Sequence, residues 1–353
     1  MGAVTVPFFI SHQGCPHTCV FCDQRAISGS AGILPDEQQI RSAIGSWQRS
    51  AAGRPLEVAF FGGSFTALQE QVQDELLAPV RPFLESGVVG SVRVSTRPDR
   101  LDRAVVRRLA SRGVAVIEVG VQSMDDAVLA QSGRGHDAAA SEAALRCIRE
   151  EGLAGGAQLM PGLPGDTPEL ALWSLERVIA AGAAFVRLYP VVVLEGTDLA
   201  RRYQAGDYHP LGLDRGIALC KQLLHKAMRA GVEVIRIGLQ AADGLNNATV
   251  LAGCWHPALG QLVRSELYFD LLQQLATALP GDAPFGVACH PSRLSDVIGQ
   301  KRRNLARLRP SGAPIPVRPD VSLPVDEIMV EYLSGQCFRG SIVADLNYDI
   351  NEV

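Results

Sequence analysis

Three cysteines, Cys15, Cys19 and Cys22, fall within eight residues at a C-x3-C-x2-C spacing. Thiolates are soft ligands that suit iron–sulfur clusters, zinc and copper(I). Three of them on one loop can hold three irons of a [4Fe-4S] cube and leave the fourth iron open to a substrate or cofactor. Four-cysteine clusters mostly carry electrons, so a count of three is itself informative. A structural zinc site is the alternative, with His12 or His17 as fourth ligand. Such sites usually pair two ligand clusters, and no second C-x2-C or H-x3-H occurs. A disulfide would leave one cysteine over. The other five cysteines (147, 220, 254, 289 and 337) are scattered singly. Cys147 and Cys220 sit in helical patterns and read as small buried hydrophobes. A reducing compartment fits all of them.

Further polar motifs recur along the first two thirds of the chain. They are Gly62-Gly63-Ser64, Ser95-Thr96-Arg97-Pro98, Gly120-Val121-Gln122-Ser123, Gly133-Arg134-Gly135-His136, and Gln158-Leu159-Met160-Pro161-Gly162. The elements that must position them alternate between strand and helix. Strands are expected over Val4–Ser11, Leu56–Phe61, Ser91–Thr96, Val114–Val121, Gly156–Met160, Ala184–Pro190 and Val232–Ile237. Helices are expected from Pro35 to Arg49 and over 67–86, 100–112, 124–131, 137–151, 168–181 and 211–230, with a long cysteine-bearing loop over 12–34. This alternation implies βαβ units and a parallel sheet. Six units are too few for a closed eight-fold barrel, so a partial, TIM-like (β/α)6 barrel over 1–245 is expected. Nearly every polar motif then falls at the C-terminal end of a strand, where barrels place their chemistry.

Over 246–353 the pattern predicts a small C-terminal α/β domain. Its elements would be a helix over Ala258–Leu279, a strand over Phe285–Cys289 and a helix over 292–308. A Pro-rich stretch follows, then a helix over Glu327–Leu333 and a strand over Ser341–Leu346. Lys301, Arg302, Arg303, Arg307 and Arg309 would make one basic helix face, either meeting RNA phosphates or simply solvated. Cys254 and His256 read as lining a substrate side, or Cys254 as a redox or second-cluster ligand.

Composition narrows the classes. Of 353 residues, 47% are apolar and 20% charged, ordinary for a globular protein. No apolar run reaches the roughly 18 residues of a membrane span. The start of the chain has no basic segment or cleavage site of the signal-peptide kind, and Val6 stands where a myristoylation signal needs Ser or Thr. The cytoplasm is the expected location. A net charge of −4 gives no global pull toward nucleic acid. Lysine occurs only at 221, 226 and 301, so neither a phosphate-loop lysine nor a Schiff-base lysine is available in the first 220 residues.

C-x3-C-x2-C with Phe21 before the last cysteine resembles the radical S-adenosylmethionine (SAM) superfamily. The resemblance implies a [4Fe-4S] cluster on Cys15, Cys19 and Cys22, with SAM chelating the open iron. It implies an electron from flavodoxin or ferredoxin, and a 5′-deoxyadenosyl radical that takes hydrogen from a substrate. Gly62 and Gly63 resemble the family's turn at the methionine ammonium, with Ser64 where an acid is usual. Ser95 falls where relatives place a ribose contact. Gln122 and Arg134 resemble the ribose glutamine and the carboxylate arginine of the anaerobic coproporphyrinogen dehydrogenase branch, and Gln158 stands where that branch has aspartate. With Phe21, these are the expected cofactor contacts. The run Arg187-Leu188-Tyr189-Pro190-Val191-Val192-Val193-Leu194-Glu195-Gly196-Thr197-Asp198-Leu199 is similar to the radical domain of the Elongator catalytic subunit, over about residues 5–240. It suggests a short, bacterial-type relative with neither that subunit's acetyltransferase domain nor its basic extension. A tRNA nucleoside is then one candidate substrate. A small metabolite or tetrapyrrole is another, and a non-enzymatic iron–sulfur or zinc-binding protein is the third reading.

Overall fold

The computed structural model describes residues 3–16, 18–28, 32–240, 245, 249–277, 285–309, 314–332 and 335–348, without the side chains of 25 and 26. The chain divides into two compact units, Met1–Gly212 with Val232–Trp255, and Leu213–Gly231 with His256–Val353. The division is therefore not a single cut near residue 245, because the helix over Leu213–Arg229 groups with the later residues.

In the first unit the elements run β1 (Val4–Phe9), α1 (Gln24–Ser28), α2 (Glu37–Ser50), β2 (Leu56–Phe61), α3 (Glu70–Leu77), α4 (Arg81–Glu85), β3 (Val89–Thr96), α5 (Arg103–Ser111) and β4 (Val114–Gln122). They continue α6 (Asp126–Gln131), α7 (Ala138–Glu150), β5 (Ala154–Leu159), α8 (Pro168–Ala181), β6 (Phe185–Leu188), β7 (Val192–Leu194) and α9 (Asp198–Ala205). After α10 (Leu213–Arg229), which belongs to the second unit, come β8 (Glu233–Ile237) and β9 (Val250–Gly253). Seven strands form one parallel sheet in the order β1-β2-β3-β4-β5-β6-β8, curled into an open half-barrel. The expected partial barrel is thus observed, and the strand expected over Val232–Ile237 is its edge, β8. β7 and β9 pair separately as an antiparallel ribbon.

Local chemistry sets these boundaries. Asp36, Asp102, Asp125, Asp137 and Thr167 each accept a backbone N–H at the start of α2, α5, α6, α7 and α8, satisfying donors that a first helical turn leaves open. The expected helix over 67–86 divides into α3, a short 3-10 turn and α4. Pro79 and Pro82 fall there, and proline cannot continue the backbone ladder. At Gly156 in β5, a Cβ would stand 2.3 Å from the Phe185 ring, which would have to move to admit one. Alternate strand residues such as Val6, Phe8, Val58, Phe60, Val92 and Val94 are buried in the core. The intervening positions face the interior of the half-barrel.

The second unit holds α10, α11 (Leu259–Thr277), β10 (Phe285–Cys289), α12 (Leu294–Ile298), α13 (Arg303–Leu308), β11 (Val317–Pro319), β12 (Glu327–Tyr332), β13 (Cys337–Ser341) and α14 (Ile342–Asp345). Its sheet runs β11-β10-β12-β13. Two expectations for the tail are reversed: Glu327–Tyr332 is a strand, and Ile342–Asp345 is helical. β12 alternates buried Ile328 and Val330 with half-buried neighbours and pairs on both sides. Ser341 caps α14 through its hydroxyl. The outer ends of two expectations, Leu279 and Leu333, and His17 lie outside the described residues.

Candidate functional site

The cysteine loop leaves β1 and lies backbone to backbone on the turn after β2. Ile10 N donates to Phe61 O at 2.7 Å, His12 N to Gly62 O at 3.0 Å, and Ser64 N to Gln13 O at 2.9 Å. Such closeness needs glycine on both sides. A Cβ on Gly63 would stand 2.4 Å from Ile10 O and 2.5 Å from Gln13 O, and one on Gly14 2.3 Å from Ser64 O. His12 is spent structurally, because its Nε2 accepts Gln24 N at 3.0 Å where α1 begins. Further along, Val20 N donates to Ser132 O at 3.2 Å, and Leu199 N to Val20 O at 2.8 Å. Cys19, Val20 and Phe21 pack with Leu163, Val193 and Leu199. Cys19 is buried, Cys22 half-buried and Cys15 exposed.

The strand ends supply the polar rim. Ser64 is fully buried and shares a hydrogen bond with Thr96 Oγ1 at 3.0 Å, tying the β2 turn to the end of β3. Gln122 closes β4 in a left-handed conformation, φ 71°, unusual for a residue with a side chain. Its Oε1 is buried without a partner. Strain and an unsatisfied acceptor together mark a position shaped for something other than packing. Arg134 donates through Nη1 to Cys19 Sγ at 3.1 Å and through Nη2 to Gly120 O at 2.5 Å, and its buried Nε has no partner. Arg97 holds the loop of Arg134 by donating to its main-chain carbonyl at 2.6 Å and pairing with Asp99.

Beneath the rim lies a chain of buried charges on alternate strand positions. Arg93 pairs with Glu57 at 2.9 Å and Glu118 at 2.6 Å, and Arg187 pairs with Glu118 at 3.0 Å. Gln158 Nε2 donates to Glu118 Oε2 at 3.0 Å, and Ser95 Oγ to the same oxygen at 3.5 Å. Gln158 is therefore held by Glu118 through its amide nitrogen, and its carbonyl oxygen remains an acceptor. The sequence reading did not single out Glu57, Arg93, Glu118 or Arg236. The available signal was a charged residue inside a largely apolar strand run, as in β2, β4 and β6.

Cys15, Cys19, Cys22, Phe21, Gly62, Gly63, Ser95, Gln122, Arg134 and Gln158 all line a single cavity of about 740 Å³. The sequence reading named these ten, and the fold brings them together. Arg97, Arg187, Tyr189 and Arg236 also line it, whereas His136 and Cys254 do not. Burial, with Arg134 and Arg97 nearby, lowers the His136 pKa to about 4, so its imidazole is neutral at physiological pH. Cys254 is buried and its thiol pushed up to about 12 by burial alone. Among the described residues no group of three or more His, Cys, Asp or Glu side chains, the cysteine triad included, is already drawn together as a metal site. The expected basic helix face over 301–309 is broken. Lys301 and Arg302 take left-handed φ values of 51° and 62°, and α13 starts only at Arg303. Arg307 is paired with Glu266 at 2.7 Å.

The donor set fits the expected groups. Burial and the neighbouring cysteines raise the Cys15 thiol and push that of Cys22 to about 12. A metal that binds them must displace protons, and a cluster does so because it bonds thiolate. The unpartnered Arg134 Nε and Gln122 Oε1 offer a donor for a carboxylate and an acceptor for a hydroxyl beside those thiols. The Gly62-Gly63 turn presents bare backbone at the same wall.

Comparison with known proteins bears on the same site. The Radical SAM superfamily description matches residues 9–176, and the Radical_SAM C-terminal domain description matches residues 183–268. A protein named tRNA uridine(34) acetyltransferase from Dehalococcoides mccartyi is 27% identical over 244 residues, covering 59% of this chain and 53% of that protein. A protein named Heme chaperone HemW from Lactococcus lactis is 23% identical, covering 67% of this chain and 62% of that protein. The structure of Methanocaldococcus infernus Elp3 with an N-terminal deletion superposes with a TM-score of 0.62 at 21% identity, over 77% of this chain and 64% of that one, a likeness of fold. The chain spans roughly half to two thirds of these relatives. Two matched domains that together cover most of its length, on a half-barrel that gathers three cysteines at one cavity, place this chain in the radical SAM superfamily of enzymes, whose cofactors are a [4Fe-4S] cluster and SAM.

Proposed function

We propose that Cys15, Cys19 and Cys22 hold the [4Fe-4S] cluster and that Phe21, Gly62, Gly63, Ser95, Gln122, Arg134 and Gln158 hold SAM, for hydrogen abstraction from a substrate in the same cavity. What carries this reading is that all ten line that one cavity. With one electron from a flavodoxin or ferredoxin, the bound cluster and SAM supply a 5′-deoxyadenosyl radical, which is the cofactor's chemistry rather than the protein's. The protein's own residues bind and orient. Arg134 offers its fork to the methionine carboxylate, since a planar guanidinium meets a carboxylate bidentately. Its Nη1 also donates to Cys19 Sγ, a contact of the kind that tunes cluster potential. Gln122 Oε1 accepts from a ribose hydroxyl, and Gln158, steadied by Glu118, accepts from a second. Phe21 and its apolar neighbours keep water from that wall.

The substrate favoured is a tRNA nucleoside, supported by the relative named for tRNA uridine(34). A small metabolite or tetrapyrrole is the second reading, favoured by the net charge of −4 and the relative named as a heme chaperone. Anaerobic reconstitution tests the chemistry. Dithionite-reduced protein should convert SAM to 5′-deoxyadenosine and methionine, and the Cys15→Ser variant should not. No cleavage by fully loaded wild-type protein would defeat the proposal. Mass spectrometry of tRNA nucleosides and metabolites from a deletion strain separates the substrates.

A further inference from the structure

Charge is distributed unevenly in this molecule. The protein carries −4 overall, yet among the described residues the lining of this cavity contains Arg97, Arg134, Arg187 and Arg236 and no aspartate or glutamate. Two of these are accounted for. Arg97 is paired with Asp99, and Arg134 faces the thiols. The other two are neighbours. Arg187 on β6 and Arg236 on β8 are register partners, at a shift in the strand pairing. Like charges on adjacent strands repel, so this pair asks for a counter-charge.

The protein supplies only half of one. Glu118 is shared between Arg93 and Arg187, and Glu57 is taken by Arg93. Arg236 has no carboxylate partner among the described residues; its Nε donates to Gly238 O at 3.1 Å. Arg187 is fixed by Glu118, by Tyr189 Oη at 3.0 Å and by the Phe61 ring, yet its Nε is buried without a partner. A buried donor without an acceptor is costly. Here it sits on a wall that also carries Phe9, Phe61 and Tyr189.

Resting on the radical SAM reading above, we infer that Arg187 and Arg236 bind an oxyanion of the substrate, a phosphate or carboxylate attached to an apolar or aromatic body. Arg187 is the preset member, held in place by Glu118. Arg236, half-buried on the edge strand β8, is the member that closes on the ligand. Cavity walls of one sign concentrate and steer ligands of the other, so affinity for the anion falls as salt rises.

Uridine 5′-monophosphate, uridine and a small dicarboxylate, succinate, serve as probes. Their binding to the reconstituted protein is measured by equilibrium dialysis at low and high salt. The expected result is that uridine 5′-monophosphate or succinate binds at least about tenfold more tightly than uridine. The Arg236→Gln variant should abolish that preference, and Arg236→Lys should keep part of it. Preference for the phosphate points to a nucleotide source, and preference for succinate to a carboxylic-acid source. Equal binding of all three probes overturns the inference, as does an anion preference that survives in Arg236→Gln. SAM cleavage by wild-type protein is assayed in parallel. If anion binding depends on Arg236 but no SAM is cleaved, the radical reading fails and the oxyanion site stands.

Discussion

Replacing Arg134 with alanine separates the two tasks its guanidinium performs. The side chain donates to Cys19 Sγ at 3.1 Å and to Gly120 O at 2.5 Å, and keeps Nε in reserve. The loop itself does not depend on that side chain. Arg97 grips the Arg134 main-chain carbonyl at 2.6 Å, and Arg134 N donates to Leu129 O at 3.1 Å. Both contacts survive the substitution, as does the bond from Val20 N to Ser132 O at 3.2 Å that ties the cysteine loop to this segment, so the cysteine loop should persist. The folded state loses the donor to Gly120 O, a cost of about 1–3 kcal/mol for a buried acceptor left open. SAM loses a charge-assisted bond to its carboxylate, about 1.5–3 kcal/mol, which weakens binding roughly tenfold to 150-fold. The assay pairs iron and sulfide content with SAM affinity by equilibrium dialysis on anaerobically reconstituted protein. Arg134→Ala should keep near-normal iron and lose affinity, and Arg134→Lys should recover part of it as a point charge. Unchanged SAM affinity with a full cluster would refute the carboxylate assignment. Loss of iron in step with affinity would instead assign Arg134 to holding the cluster loop.

Three more perturbations follow from the same geometry. Gly63→Ala puts a Cβ 2.4 Å from Ile10 O and 2.5 Å from Gln13 O. Neither backbone atom can swing away, so the cysteine loop must shift; iron loading should fall along with about 1–3 kcal/mol of stability, and normal loading would contradict the close approach. Glu118→Gln leaves Arg93 and Arg187 facing a neutral amide in a fully buried position; a loss of about 3 kcal/mol or more is expected in urea denaturation, and a neutral outcome would show that the arginines find other partners. In metal-free protein the Cys22 thiol is raised from 9.0 to about 12 by burial and its neighbouring cysteines. A raised folded pKa contributes stability that is complete below 9.0 and fades as pH climbs toward 12. Apo protein should therefore lose melting temperature between about pH 9 and 10.5 more steeply than its Cys22→Ser variant, and parallel curves would disprove the linkage.

Most of the half-barrel was legible in the residues. Apolar runs marked β1 to β6, and helical patterns marked the helices between them. Where sequence reading failed, it failed on non-local grounds. Glu327–Tyr332 was expected as a helix because apolar spacing in six residues does not distinguish the periods; pairing with β10 and β13 on either side makes it a strand. The basic run over 301–309 looked continuous, but left-handed backbone at Lys301 and Arg302 interrupts it before α13.

The cysteine spacing, the glycine pairs and the position of each polar residue at a strand end are local properties, so they could be read along the chain, and the ten residues named from them line one cavity. What only the tertiary structure decided is what those residues have left to give. Whether Gln158 is free or held by Glu118, whether His12 is a ligand or a helix cap, and whether an arginine is already neutralised depend on groups far away in the chain. Strand curling brings Glu57, Arg93, Glu118, Arg187 and Arg236 onto one interior face, and only there can their charges be summed. That sum leaves one positive charge over, which no reading along the chain could have assigned to β8.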